Sequence, residues 1–176
     1  PAGSAGRHCV TAMKTLTDLS GLRDETGPVI MAAGFFDGVH RGHQKVLDTA
    51  MRHAADRGGR TWVLTFSPHP LRVLNPDVAP PLLTCDEHKM LWLQRLGVDG
   101  CLTLRFSRRL AGQPPEKFVE MLLAVTPPLS RVVVGRNWRF GKQGRGSPAA
   151  MVHLCGGTGL DVSVVNPMIW QGETIS

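Results

Sequence analysis

The chain has no closely spaced cysteines, no long apolar run and no long basic block. Its four cysteines, Cys9, Cys85, Cys101 and Cys155, lie far apart, and none forms a C-x-x-C pair. That spacing argues against a disulfide framework or a zinc site and predicts reduced thiols in a cytoplasmic protein. No stretch reaches the roughly 18 apolar residues of a membrane span, so no membrane partner is expected. Residues 1–12 are small and polar and lack the apolar core of a signal peptide. They are read as a loose extension or a cloning remnant, with Met13 as a plausible natural start and residues 13–176 as the domain. No repeat period stands out. The net charge of +6 favours anionic partners. Nucleic acid, nucleotides and a phosphorylated cofactor all qualify, but without a long Lys/Arg block a nucleic-acid partner is not expected.

What is present is alternation. With 176 residues, 42% of them hydrophobic, the chain is long enough for one domain with a sizeable core. Strand signals run over 29–34, 61–66, 100–104, 131–135 and 160–165. Between them lie helical patterns. One runs from Gly42 to about Arg57, with Val46, Leu47, Ala50, Met51, Ala54 and Ala55 as its apolar stripe and Gly58-Gly59 as its stop. A second holds Met90, Leu91, Leu93 and Leu96 and is preceded by a capping-box signal over Thr84–Glu87. A third opens at Pro114-Pro115 and carries Phe118, Val119, Met121 and Leu122. A fourth starts at the Ser147-Pro148 pair and stops at Gly156-Gly157. This order predicts an α/β fold with a mostly parallel sheet built from right-handed βαβ units. Ligands of such sheets bind beyond the carboxyl ends of the strands. The loops 34–43, 66–76 and 135–146 all follow strands and are expected to gather there as one composite site.

The most informative segment is G-F-F-D-G-V-H-R-G-H, Gly34–His43. It joins a buried strand to a helix start, where α/β proteins bind phosphate. His40 and His43, three residues apart, can face one spot. Each can donate a hydrogen bond to a phosphoryl oxygen, and a cationic ring would add charge. Gly38 and Gly42 allow close backbone approach. Two ordinary surface histidines, or a metal pair, are the competing readings; without a nearby third ligand the metal reading is weak, and no protein-held metal is expected.

With its following glutamine, this segment closely resembles the H-x-G-H segment of the nucleotidyltransferase superfamily, in the F-D-G-V-H-x-G-H-Q form typical of bacterial FAD synthetases, the bifunctional riboflavin kinase/FMN adenylyltransferases. Three further segments agree in order and spacing: T-F-S-P-H-P (Thr65–Pro70), L-N-P-D-V-A-P-P-L-L-T (Leu74–Thr84) and V-V-V-G-R-N-W-R-F-G-K (Val132–Lys142). The resemblance covers about residues 13–176. It implies a Rossmann-like nucleotidyltransferase fold and transfer of AMP from ATP to FMN, giving FAD and pyrophosphate. It implies His40 and His43 as catalytic residues, Gly34, Phe35, Asp37, Gly38, Gly42 and Asn137 at ATP, and His69, Pro70, Leu74 and Phe140 at the flavin. Mg²⁺ is expected to accompany ATP, bridging its phosphates.

Read from the residues alone, Pro68-His69-Pro70 is a stiff turn whose histidine is either incidental or functional. Trp138 reads as core. Arg105, Arg108 and Arg109 read as solvated surface with no assigned role. Two departures from the family pattern stand out. Phe35 occupies a position where many members carry a polar or small residue. The chain also stops at Ile175-Ser176, before the family's Ser/Thr-Arg segment and its riboflavin kinase domain, so neither that domain nor its activity is expected here. The competing functions are a related adenylyl- or cytidylyltransferase with another phosphate acceptor, and a nucleotide- or flavin-binding fragment without turnover.

Overall fold

The computed structural model describes residues 12–170 and 173–175. In chain order its strands are β1 (Lys14–Leu16), β2 (Val29–Ala33), β3 (Arg60–Ser67), β4 (Gly100–Arg105), β5 (Leu129–Gly135), β6 (Asp161–Val165), β7 (Met168–Trp170) and β8 (Glu173–Ile175). The helices are α1 (Arg41–Asp56), α2 (Pro70–Leu74), α3 (Asp86–Arg95), α4 (Arg108–Ala111), α5 (Pro115–Leu123) and α6 (Pro148–Cys155). The first six strands form one parallel sheet in the order β1-β4-β3-β2-β5-β6. β7 and β8 pair separately as an antiparallel hairpin.

The central strand β2 is buried along its whole length, as expected of a strand covered on both faces. Successive side chains enter opposite layers. Val29, Met31 and Ala33 join Trp62, Leu64, Val132 and Val134 under the α5 and α6 side, with Phe118, Leu122 and Met151. Ile30 and Ala32 join Val63 and Val133 under the α1 and α3 side, with Val46, Leu47, Ala50 and Leu93. Gly100 is required by this packing, because a Cβ there would stand 2.6 Å from the Trp62 ring.

The expected α/β fold with its parallel sheet is present, and all five expected strands belong to it. The structure adds β1 at the edge, whose exposed Lys14 and Thr15 carry no apolar alternation, and the short helices α2 and α4. Two finer expectations are corrected. The Thr84–Glu87 capping box does not form: α3 starts after Cys85, which makes no side-chain cap bond, because the Thr84 hydroxyl is engaged by the loop after β2. Ala55, placed on an apolar stripe, and Leu91, placed in the second helical pattern, are exposed. Helical turn angle leaves each at the margin of its buried face.

Candidate functional site

The order of the sheet reverses between β2 and β5, neighbours whose connections leave in opposite directions. A crevice opens at such a point beyond the carboxyl ends of the strands. The chain leaving β2 turns sharply. Phe36, Gly38 and Val39 all have positive φ, at 53°, 68° and 39°. A β-branched residue such as Val39 rarely adopts this conformation, and strain of this kind concentrates at functional sites. The turn buries Phe36 and Val39 in the core and delivers His40 to the N-cap of α1.

His40 Nδ1 accepts the backbone N–H of His43 at 3.4 Å, and the two rings stack with centroids 3.6 Å apart. A neutral imidazole that accepts at Nδ1 carries its proton on Nε2, so His40 keeps an N–H to donate. Burial lowers the His40 pKa, against the pull of Asp37. Burial, reinforced by His40 alongside, pushes His43 down to about 4. In the ligand-free protein burial thus favours the neutral form of both rings. The pair stands at a helix N-terminus, the kind of place where N–H donors and the helix dipole favour anions.

Three adjoining cavities surround this turn. The first, about 280 Å³, is lined by Gly34, Phe35, His40, Gly42, His43 and Asn137, together with Gly135, Trp138 and Asn166. The second, about 460 Å³, is lined by Phe35, Pro70, Leu74 and Phe140 among the expected residues, and by Phe66, Arg108, Leu110, Trp138 and Lys142. The third, about 120 Å³, holds Asp37 and His69 with Asp86 and Lys89. The loops 34–43, 66–76 and 135–146 thus meet at one edge of the sheet. Six residues expected at ATP or in catalysis share the first cavity; Asp37 and Gly38 do not line it. The Asp37 carboxylate instead accepts the backbone N–H groups of Leu83 and Thr84, each at 3.0 Å, and Gly38 N–H donates to Thr84 Oγ1 at 3.1 Å. Of the residues expected at the flavin, His69 does not line the second cavity; its Nδ1 accepts Leu71 N–H at 3.3 Å and caps α2.

The floor of the second cavity is aromatic. Trp138 and Phe140 stack at 4.8 Å, and Phe118 lies 5.7 and 5.3 Å from them. Trp138 is buried, as core packing predicts. Gly146 bridges back to Phe140, and a Cβ on it would sit 2.7 Å from the Phe140 ring. Sequence reasoning missed Arg108, which reaches this cavity because Ser107 caps the short helix α4 with a bond to Leu110 N–H. It also missed Lys89, a buried cation paired with Asp86 at 2.9 Å. The Asp86–Lys89 spacing on a helix was the available signal for that pair.

Among the described residues, no group of three or more His, Cys, Asp or Glu side chains forms a metal cage. Cys85, Cys101 and Cys155 are free thiols, while Cys9 lies outside the described residues. No described helix is long and apolar enough to cross a membrane.

A family model for FAD synthetase matches residues 22–176. The chain is 34% identical over 131 residues to a bifunctional riboflavin kinase/FMN adenylyltransferase of Bacillus subtilis, covering 74% of this chain and 41% of that protein. It is 36% identical over 148 residues to a protein of the same description from Listeria monocytogenes, covering 84% and 46%. A second Listeria monocytogenes protein, described as FAD synthetase, is 36% identical over 147 residues, covering 82% and 58%. The chain therefore spans about half the length of the curated relatives it matches. Among solved structures, one described as a macrolide-efflux protein from Streptococcus pneumoniae aligns with a TM-score of 0.73 at 20% identity, covering 94% of this chain and 53% of that one. At that identity the likeness bears on the fold alone.

Proposed function

The chain belongs to the FAD synthetase family, and from that premise we propose that it is an FMN adenylyltransferase, converting ATP and FMN to FAD and pyrophosphate. The observation that carries this reading is the pairing of two adjoining cavities with different chemistry. One has a histidine pair at a helix N-terminus; the other has an aromatic floor and apolar walls suited to a flat ring system.

The phosphate of FMN is already an anion and needs no strong base. One of its oxygens attacks the α-phosphorus of ATP in line, a new P–O bond forms, and the bond to the leaving pyrophosphate breaks. The protein's task is positioning and electrostatic stabilisation. His40 and His43 donate N–H bonds to the phosphates and to the charge that develops on them. Gly34 and Gly42 let backbone come close, Phe35 borders the nucleotide, and Asn137 offers an amide to ribose or phosphate. Pro70, Leu74 and Phe140 hold the flavin ring. Asp37, Gly38 and His69 act from behind, Asp37 and Gly38 by shaping the turn and His69 by capping α2.

The polar side chains lining the first cavity are the imidazoles of His40 and His43, the amides of Asn137 and Asn166 and the guanidinium of Arg136, with no carboxylate. That donor set fits a magnesium ion carried on the ATP phosphates, not one caged by the protein. Bound there, the ion would offset phosphate charge. We take residues 13–176 as one adenylyltransferase domain, a reading supported by β1 joining the same sheet as the site. Free thiols suit a reducing, cytoplasmic setting.

The test is product analysis. With ATP, Mg²⁺ and FMN the protein should release FAD and pyrophosphate in equal amounts, and riboflavin in place of FMN should give no adenylylated product. Adenylylation of riboflavin as fast as of FMN would contradict the proposal.

A further inference from the structure

Among the described residues, Phe35 alone borders all three cavities around the site. Its backbone is fixed: the carbonyl accepts the Thr65 hydroxyl at 3.0 Å, and Gly34 before it donates to Leu64 O at 3.0 Å. Its side chain is only half-buried, resting at ring-centroid distances of 5.6 Å on Phe66 and 5.4 Å on His69. Phe36 beside it takes the left-handed conformation and turns into the core, which leaves Phe35 on the site side of the turn.

Trp138 also lines both the first and the second cavity. It is 8% exposed and stacked on Phe140, so it is a fixed wall. The boundary between the histidine cavity and the aromatic cavity is thus shared by two rings, Trp138 buried in the core and Phe35 half-buried against it with tilted contacts to Phe66 and His69.

We propose that Phe35 is the partition between the two cavities and a positioning residue for the acceptor. It rests on the adenylyltransferase reading in one respect: an acceptor whose ring lies in the second cavity must pass its phosphate into the first. Phe35 and Trp138 flank that passage. A flat ring system is stopped by the Phe35 ring, while a slim, flexible chain ending in phosphate passes. The partition sets how far the acceptor slides toward the nucleotide. It therefore selects acceptors built as a ring plus a narrow phosphorylated chain. Phe35 also borders the nucleotide cavity, but the hydrogen-bonding groups there belong to His40, His43 and Asn137 and not to its ring.

The experiment compares wild type, Phe35→Ala and Phe35→Leu, with thermal melting as the control for folding. FMN binding is read by quenching of flavin fluorescence, ATP binding by calorimetry, and turnover by FAD release. Losing an aromatic contact predicts FMN affinity weakened about tenfold in Phe35→Ala, with ATP affinity changed by no more than about threefold. The KM for FMN should rise and kcat should fall, because the acceptor is held loosely and out of register. Phe35→Leu, which refills most of the volume, should recover most of the loss. Unchanged FMN affinity in Phe35→Ala overturns the proposal. So does an equal loss of ATP and FMN affinity in a variant that melts like wild type, which would make Phe35 a wall common to both cavities and not a positioning residue for the acceptor. A wild type that binds FMN but makes no FAD sinks the adenylyltransferase reading instead, and the partition then stands or falls on the FMN titration of Phe35→Ala.

Discussion

The carboxylate of Asp37 is bound to Thr84, accepting its backbone N–H at 3.0 Å and its hydroxyl at 3.2 Å. Forty-seven positions separate them along the chain. The link ties the turn that presents the histidine pair to the segment leading into α3, and the Gly38 N–H to Thr84 Oγ1 bond closes it from the other side. The histidine geometry is therefore braced by a residue that does not line the histidine cavity.

Asp37→Ala should destabilise the fold by about 1–3 kcal/mol, the usual range for losing hydrogen bonds to a charged group. Burial alone would raise the Asp37 pKa, but the bonds from Leu83 and Thr84 outweigh it and hold the carboxyl below its ordinary value. A depressed folded-state pKa contributes stability that is complete above the unfolded value of about 3.9 and is lost as pH falls through the folded value. Urea unfolding should show the gap between wild type and Asp37→Ala shrinking from neutral pH toward pH about 3. A gap of constant size across that range would rule out the ionised clamp.

His43 should titrate near pH 4 in the free protein. Its contribution to stability is complete above about pH 6.5 and declines as pH falls from there toward the folded value. Phosphate beside the ring favours the imidazolium, so ATP should raise this pKa and take up a fraction of a proton on binding. NMR titration of the imidazole with and without ATP reads both quantities. A free-state midpoint near 6.5, unmoved by ATP, would mean that the ring is neither buried nor next to phosphate.

Gly146→Ala should displace the Phe140 ring, because the added Cβ would lie 2.7 Å from it. Overpacking of this kind costs about 1–3 kcal/mol. The damage should fall on the flavin cavity, weakening FMN binding while ATP binding stays near wild type. Calorimetry with each ligand separates the two, and equal FMN affinity in both proteins would remove Phe140 from the flavin site.

Much of this was readable from the chain. The strands over 29–34, 61–66, 100–104 and 131–135 announced themselves through apolar runs packed within the sheet, and the edge strand over 160–165 through its valines, although it is only partly covered. The edge strand β1 did not, since three half-solvated residues carry no period. The placing of the histidine turn between a buried strand and a helix start was legible because strand, glycines and helix follow one another locally. The roles of Asp37 and Thr84 were not, because their bond joins distant segments and turned an apparent helix cap into a tertiary brace. Arg108 was passed over for another reason: one turn of helix, invisible to periodicity, places it on the aromatic cavity.

The central claim is that His40 and His43 serve adenylyl transfer from ATP to FMN. The most direct measurement is the rate of FAD and pyrophosphate formation by wild type and by the His40→Ala/His43→Ala variant under saturating ATP, Mg²⁺ and FMN. Removing preorganised donors to developing phosphoryl charge should lower kcat at least about a hundredfold, with thermal melting little changed because α1 keeps its buried stripe of Val46, Leu47, Ala50 and Ala54. Equal rates of FAD formation by the two proteins would contradict the account.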